Sequence, residues 1–530
     1  MNDDATFPPP DRYDLPLLLF LVPLTLATVA VAGLSLRWEL HWDAAVMHYL
    51  GFLVNEKGFV PYRDTFDNNM FGVPALHILA GRLFGYDDFG MRAFDLLWLA
   101  VLSLCSWALL RRFGWRATWP GVVLFAWLYL TQGESQLLQR DYLTVLPTAA
   151  AVLVAVSGAG RRPWLSPLVI GLLIGLAATL KPPAAIVLPV LAGFGPATDE
   201  EADSRWHWWR RLIVCELLAG VGFVVPVAAG LLWLAGIGAL PGFVEIVSQY
   251  YPLYTKHVFA GGIRTATAAE RREFVLESIL TFRNLGGRQL LVVSAALIGL
   301  VQLLNPGLSR QRRALVLLLA LLALTQYAGI IIVGNFHPYS WLPMLYFLVL
   351  LLALGFARPF PIDAGPASRL ALPLVAVLGA VLSLGGLPDS VRAQLRGEPP
   401  ETVWTQRADA MVRYLEPRLQ PGDTVQPLDH LGGTARALLR CRAGLATRFA
   451  EDCFFYLGSD QPYVRQLRGD FLQRLERSPP RFVILVTRDR LFTTDPADKG
   501  DFDATLRRFL ATRYHPGQIG DGYVIYERND

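Results

Sequence analysis

Residues 15–36 read LPLLLFLVPLTLATVAVAGLSL, without a single charged side chain. An α-helix rises about 1.5 Å per residue, so a run of this length reaches across the roughly 30 Å hydrocarbon core of a bilayer. The segment before it, Met1 to Asp14, is acidic and Pro-rich. It lacks the basic start and short apolar stretch of a cleaved signal peptide, so the run reads as a retained first span. The composition of the whole chain agrees. Apolar residues make up 53% and charged residues only 17% of the sequence, against about 25% charged in a typical soluble domain, which excludes an ordinary soluble enzyme.

Working outward, further candidate spans fall near 92–110, 117–131, 142–158, 165–180, 183–195, 212–236, 289–304, 313–333, 341–357 and 370–387. The pair around Lys181-Pro182-Pro183 reads as two short spans or one broken one, because proline removes a backbone donor and disfavours helix in the residue before it. With about eleven spans, the basic loops at Arg111–Arg116, Arg161-Arg162, Arg205–Arg211 and Arg310–Arg313 all fall on one side. That side is cytoplasmic by the positive-inside rule. The opposite side receives 37–91, a turn around Gln132–Arg140, the loop 237–288, the tight turn Asn335-Phe336-His337-Pro338-Tyr339, and everything after about 388. Acids, His, Tyr and Pro thus gather at the outer surface, where a polar site is expected.

After Asp389 the composition turns soluble. Short β-rich runs at 424–428, 482–486 and 523–526 alternate with helical patterns near 404–419, 462–477 and 501–512, which predicts a small extracytoplasmic α/β domain. The expected division is 1–388 for the membrane domain, with its large first outer loop at 37–91, and 389–530 for the soluble domain. Cys441 and Cys453 lie in the latter, where a disulfide and a free pair are both compatible with an oxidising compartment. No C-x-x-C or similar ligand spacing marks a metal site. The net charge of +4 is small and forms no basic stripe, so no nucleic-acid partner is expected. The absence of Asn-x-Ser/Thr acceptor sites favours a bacterial inner membrane, with the N-terminus cytoplasmic.

The first outer loop opens Arg37-Trp38-Glu39-Leu40-His41-Trp42-Asp43, which places acids at the membrane surface beside interface tryptophans. It continues Gly58-Phe59-Val60-Pro61-Tyr62-Arg63-Asp64 and then an apolar helical stretch ending Leu83-Phe84-Gly85. These stretches resemble the GT-C superfamily of membrane glycosyltransferases. The closest likeness is to its family 39 branch, which includes the protein O-mannosyltransferases and resembles the bacterial lipid A aminoarabinose transferase. Gln139-Arg140-Asp141-Tyr142 resembles the branch's second acidic position, Leu180-Lys181-Pro182 its lysine at the end of the fifth span, and Asn335-Phe336-His337-Pro338-Tyr339 its late outer-loop turn. Members often carry a lysine a few residues after the Pro-Tyr-x-Asp stretch, where this chain reads Asp67-Asn68-Asn69-Met70, so one phosphate contact is unassigned.

The resemblance implies transfer of a sugar from a polyprenyl-phosphate-linked donor to a lipid, glycan or protein hydroxyl, with inversion at the anomeric carbon. An attacking hydroxyl needs a base within hydrogen-bond reach, and Asp43 is the first candidate, with Asp141 assisting. The departing lipid phosphate needs fixed cations in a partly water-free site, and Arg63, Arg140, Lys181 and His337 are the candidates. A divalent cation between Asp43, Asp141 and a phosphate is compatible with hard-cation chemistry, but no spacing demands one, and no cofactor is assigned. Rival readings accompany each residue: a helix-start acid for Asp141, a snorkelling lysine for Lys181, a hydrogen-bonded turn residue for His337. The Tyr250–His257 stretch reads as an interface belt before it reads as a sugar platform. A transporter or flippase of lipid-linked saccharides is the alternative function, since it too needs many spans and buried charges. A member that binds a polyprenyl lipid without catalysis is a third.

Overall fold

The computed structural model describes residues 14–158, 164–198, 205–258, 267–283, 285–357, 366–383, 385–398, 403–430, 432–488 and 500–529. The apolar run that opened the reading is helix α1 (Asp14–Ser35). The first outer loop contributes α2 (Trp42–Lys57) and α3 (Gly72–Phe84), and α4 (Asp88–Leu110), α5 (Trp115–Leu130), α6 (Arg140–Gly158) and α7 (Leu165–Leu180) follow. The chain then makes a 3-10 turn and continues as α8 (Leu188–Thr198) and the long α9 (Arg205–Gly236). After α10 (Leu240–Glu245), α11 (Tyr251–Val258) and α12 (Ala268–Leu280) come α13 (Gln289–Leu304), α14 (Arg310–Val333), α15 (Leu342–Ala353) and α16 (Pro366–Ser383). Each stretch expected to span contains a helix, although 183–187 is a 3-10 turn and 385–387 lie beyond the end of α16, and six of the described helices are long and apolar enough to cross a membrane.

Burial sorts these helices. In Pro338–Phe356, 94% of the apolar stretch is buried, against 17% in α1 and 11% in α9. The segment around α15 is therefore the centre of the bundle, while α1 and α9 turn Leu19, Leu26, Leu217 and Leu232 outward. A water-soluble surface does not carry continuous apolar area on that scale, but lipid accommodates it. Since lipid is as apolar as leucine, helices in a bilayer associate through close backbone approach at small residues. The run from Gly171 to Gly175 on α7 does this: a Cβ at Gly171 would stand 1.9 Å from the Ala219 carbonyl oxygen of α9, and one at Gly222 would stand 2.0 Å from that of Leu168.

The C-terminal part starts with α17 (Asp389–Leu395) and α18 (Val403–Leu415), then β1 (Thr424–Leu428), α19 (Thr434–Arg440) and the short β2 (Gly444–Leu445). It ends with α20 (Pro462–Arg477), β3 (Phe482–Val486), α21 (Gly500–Arg513), β4 (Tyr514–Gly520) and β5 (Tyr523–Arg528). The sheet order is β2-β1-β3-β5-β4. The first three strands are parallel, and β5 and β4 extend the sheet as an antiparallel pair. Cys441 and Cys453 are both free thiols.

This sheet domain is fastened to the first outer loop. Arg436, only 4% exposed, pairs with Glu39 and Asp88 at 3.0 Å each and with Asp409 at 3.3 Å. Arg448 pairs with Glu245 and Asp470, and the backbone N–H of Phe66 donates to the Arg448 carbonyl. Phe66, Tyr250, Phe449 and Phe454 pack into one aromatic core across the junction, edge-on, tilted and stacked. A buried guanidinium with three carboxylate neighbours is held because losing its partners would strand its charge.

Candidate active site

Helix α2 begins where His41 is extended (φ −117°, ψ 140°) and Asp43 occupies the first turn, a position that the helix dipole favours for an acid. Asp43 is half-buried, and among the described residues its carboxylate has no hydrogen-bond or ion-pair partner. Glu39, the other acid of this stretch, is committed to Arg436. The two acids that flank the end of the first span are thus distinguished: one fastens domains, and the other is left open.

Helix α6 starts with Arg140 and Asp141. Asp141 is 6% exposed and takes the Lys181 ammonium on both oxygens, at 2.5 and 2.6 Å. Lys181 reaches it because the chain breaks there. The residue before a proline is pushed out of the helical region, and Lys181, ahead of Pro182, sits at φ −151°, ψ 109° between α7 and the 3-10 turn 182–187. A lysine ammonium carries three N–H donors, so the ion pair leaves it one for a ligand.

Arg140 directly precedes Asp141, and the charge of Asp43 reaches it. The charges and phenols around it are those of Tyr339, Tyr254, Asp43 and Asp141. Its Nη1 donates to Asn69 Oδ1. Asn69 is held in turn: its backbone N–H and Nδ2 donate to Asp67 Oδ1 at 2.9 and 2.6 Å, and its carbonyl accepts from the Tyr62 hydroxyl at 2.9 Å. The Asp67-Asn68-Asn69 stretch, where the resembled family often has a lysine, therefore aims an arginine supplied by another segment. Tyr62 has φ +64°, a conformation rare for a non-glycine residue and one that clusters at functional sites.

Tyr254, on α11, enters the same group, so this part of the expected tyrosine belt faces inward. Burial pushes its phenol up to about 12, with Arg140 opposing and Asp43 reinforcing. The chain before it, Ile246–Tyr250, is a π-helical turn, a rare departure that re-aims side chains and recurs at functional sites.

Two expected cations stand apart. Arg63 is 57% exposed and pairs with its neighbour Asp64 at 2.8 Å, beside Gly238, outside the group around Arg140. His337 is exposed; its ring stacks on Tyr339 at 5.3 Å, so it covers a neighbour of Arg140 at the rim. Asn69, Tyr254 and Tyr339 are the members that sequence reading did not single out.

A cleft of about 400 Å³ opens beside the Asp141–Lys181 pair, with Gln326, Asn335 and Ser340 as further polar lining and Ile330, Val333 and Pro343 as an apolar wall. An ionic end over an apolar wall suits an amphiphile.

The molecule is thus a polytopic helical membrane protein with a charged site between its bundle and a small sheet-containing domain. Residues 71–200 match the family described as Dolichyl-phosphate-mannose-protein mannosyltransferase, so the resemblance read from the motifs stands, and it supports a glycosyltransferase. The matched stretch carries Arg140, Asp141 and Lys181, while Asp43 precedes it. No curated protein matches the chain. Among solved structures, the chain is similar to the archaeal oligosaccharyltransferase AglB from Archaeoglobus fulgidus, solved in complex with an inhibitory peptide and a dolichol-phosphate. The identity is 11%, the match covers 96% of this chain and 74% of that one, and the TM-score is 0.42.

Proposed function

We propose that the chain moves a sugar from a polyprenyl-phosphate donor to an acceptor hydroxyl at the outer face of the membrane, with inversion at the anomeric carbon. The acceptor oxygen attacks that carbon from the face opposite the phosphate and forms the new glycosidic bond as the bond to the phosphate oxygen breaks. Asp43 takes the hydroxyl proton. The polyprenyl phosphate leaves with added negative charge, which Arg140 and the remaining donor of Lys181 stabilise. Asp141 holds Lys181 in place, Asn69 holds Arg140, and the apolar wall of the cleft takes the first part of the lipid chain. The observation that carries the reading is an uncommitted carboxylate whose charge reaches a held guanidinium beside a lysine–aspartate pair. The basic loops of the opposite face support the orientation, with the sheet domain outside the cytoplasm of a bacterial inner membrane.

The test uses purified protein in detergent with labelled polyprenyl-phosphate sugar and mixed lipid, glycan and peptide acceptors. Wild type should form an inverted glycoside, and Asp43→Asn should be slower by about 10²–10⁴-fold, the usual worth of a general base. Transfer that persists unchanged in Asp43→Asn removes that acid from the mechanism. Movement of donor lipid across vesicles without covalent transfer would favour a flippase instead.

A further inference from the structure

A second group of chemistry-bearing side chains converges from the sheet domain. Strand β1 ends at Leu428 and is followed at once by Asp429 and His430. Its parallel neighbour β2 ends at Leu445, and the chain then runs through Glu451 to Cys453. The sheet order has β1 between β2 and β3, so the chain leaves β1 for one side and later returns on the other. Beyond the carboxyl ends of parallel strands at such a reversal is where open α/β sheets bind ligands.

There, one ligand atom each of His430, Glu451 and Cys453 lies within 4.8 Å of the other two. His430 Nδ1 and Glu451 Oε1 are 2.8 Å apart, and the Cys453 thiol is free and buried. Their backbone supports are tight. The buried Asp429 carboxylate accepts from the N–H groups of Gly432 and Thr434 and from the Thr434 hydroxyl, while the Asp452 N–H donates to the Asp429 carbonyl. The Gln426 amide donates to the Phe449 carbonyl and accepts from the Thr447 hydroxyl. Both ligand-bearing loops are therefore tied to β1, the kind of outer support that metal ligands require.

We propose that His430, Glu451 and Cys453 bind one divalent transition-metal ion, of which Zn²⁺ best fits the mixed imidazole, carboxylate and thiolate set. Tetrahedral zinc holds its ligand atoms about 3–4 Å from one another, so the cluster needs only a small spreading of the His430–Glu451 pair and a small closing onto the sulfur. On binding, the Cys453 thiol loses its proton to solvent and the sulfur forms the metal bond. The thiolate and the Glu451 carboxylate then balance the ion's two positive charges, leaving no net charge buried. Three protein ligands leave the fourth position open, the pattern of catalytic and not of structural zinc. Glu451 also lines a cleft of about 440 Å³ between the start of α2 and the sheet domain, with Leu40, His41, Trp404 and Arg436 among its walls, which offers the ion a path in. Metal binding itself stands independently of the transferase reading.

The experiment uses tag-free, full-length protein stripped with chelator, reloaded with Zn²⁺ or Co²⁺ alone, and desalted. Wild type should retain one metal per chain, and its Co²⁺ form should show the thiolate-to-cobalt charge-transfer band. Cys453→Ser should lose that band, and His430→Ala and Glu451→Gln should bind at least tenfold more weakly, while Cys441→Ser keeps both metal and band. The wild-type spectrum alone is decisive if a variant fails to fold. No retained metal in wild type, or a cobalt spectrum without a thiolate band, overturns the site. Neither readout depends on sugar transfer, so failure here leaves the transferase reading to its own assay.

Discussion

Asp43 and Asp141 both act on the charge of Arg140, yet the protein treats them in opposite ways. Asp141, on a bundle helix, is buried and closed by a lysine on both oxygens. Asp43, on the outer-loop helix, is half-buried and has no partner among the described residues. A carboxylate with both oxygens taken by an ammonium is poorly placed to accept from an incoming hydroxyl, but it is a good anchor for a cation that must meet a phosphate. A carboxylate without a partner is open to an incoming hydroxyl. The difference is the reason why the proposed mechanism gives the proton work to Asp43 and the scaffold to Asp141.

The same substitution at both positions gives the largest expected effects and tests that division directly. Asp141→Asn leaves the Lys181 ammonium buried without its anion and should cost about 3–5 kcal/mol of stability, the penalty for breaking a buried pair. Removing both charges together, as Asp141→Asn with Lys181→Met, should recover much of that loss. Asp43→Asn should change stability by less than about 0.5 kcal/mol while abolishing most transfer. Unfolding in detergent read beside the transfer assay checks both. Equal destabilisation at the two positions would erase the distinction.

Asn69→Ala probes the guanidinium of Arg140. A hydrogen bond to a charged group is worth about 1.5–3 kcal/mol, so loosening Arg140 should raise the donor KM about tenfold or more. The effect on kcat should be smaller if the contact serves binding in the ground and transition states alike. Donor titrations at saturating acceptor separate the two constants, and a pure kcat loss would move Asn69 from positioning the donor to shaping the transition state.

How much of this was legible before the structure follows from where the signals reside. Long uncharged runs can do little in water, so the spans were readable, and the expected first run at 15–36 differs from α1 by one residue at each end. The runs 424–428 and 482–486 coincide with β1 and β3, the second because the continuous apolar stretch FVILV marks a buried strand. Strand β2 is two residues long and β4 carries Pro516 and Gly517, so neither left a pattern. Within the site, Asp43, Arg140, Asp141 and Lys181 were readable as charges at span ends, where charge is costly without a role. Asn69 was not, since a short polar side chain in a turn is ordinary. Tyr254 was weighed as a belt residue because the π-turn that directs it inward has no sequence mark.

Tyr254 supplies the next smaller effect. Its phenol is pushed up to about 12 by burial first, with Arg140 opposing, whereas an unfolded chain titrates near about 10. Between those values the folded state binds the extra proton, so the contribution to stability is complete below about pH 10 and is lost as pH rises through about 12. Tyr254→Phe should therefore flatten the alkaline fall in unfolding temperature. A variant that unfolds along the wild-type alkaline curve would place the titration elsewhere.

The smallest expected effect belongs to Arg63, and it decides between the motif and the geometry. In the Gly-x-x-Pro-Tyr-Arg-Asp turn, Tyr62 with its positive φ goes fully into the core, and the next side chain is turned outward to solvent. There Arg63 pairs with Asp64, an exposed contact of the kind that contributes little. Arg63→Ala should leave the unfolding temperature and the donor KM unchanged within error, while Arg140→Gln raises that KM strongly. If Arg63→Ala weakens donor binding as Arg140→Gln does, the outer turn must move when the lipid arrives. The phosphate would then be held from both the Asp43 side and the Asp141 side, and not by the bundle helices alone.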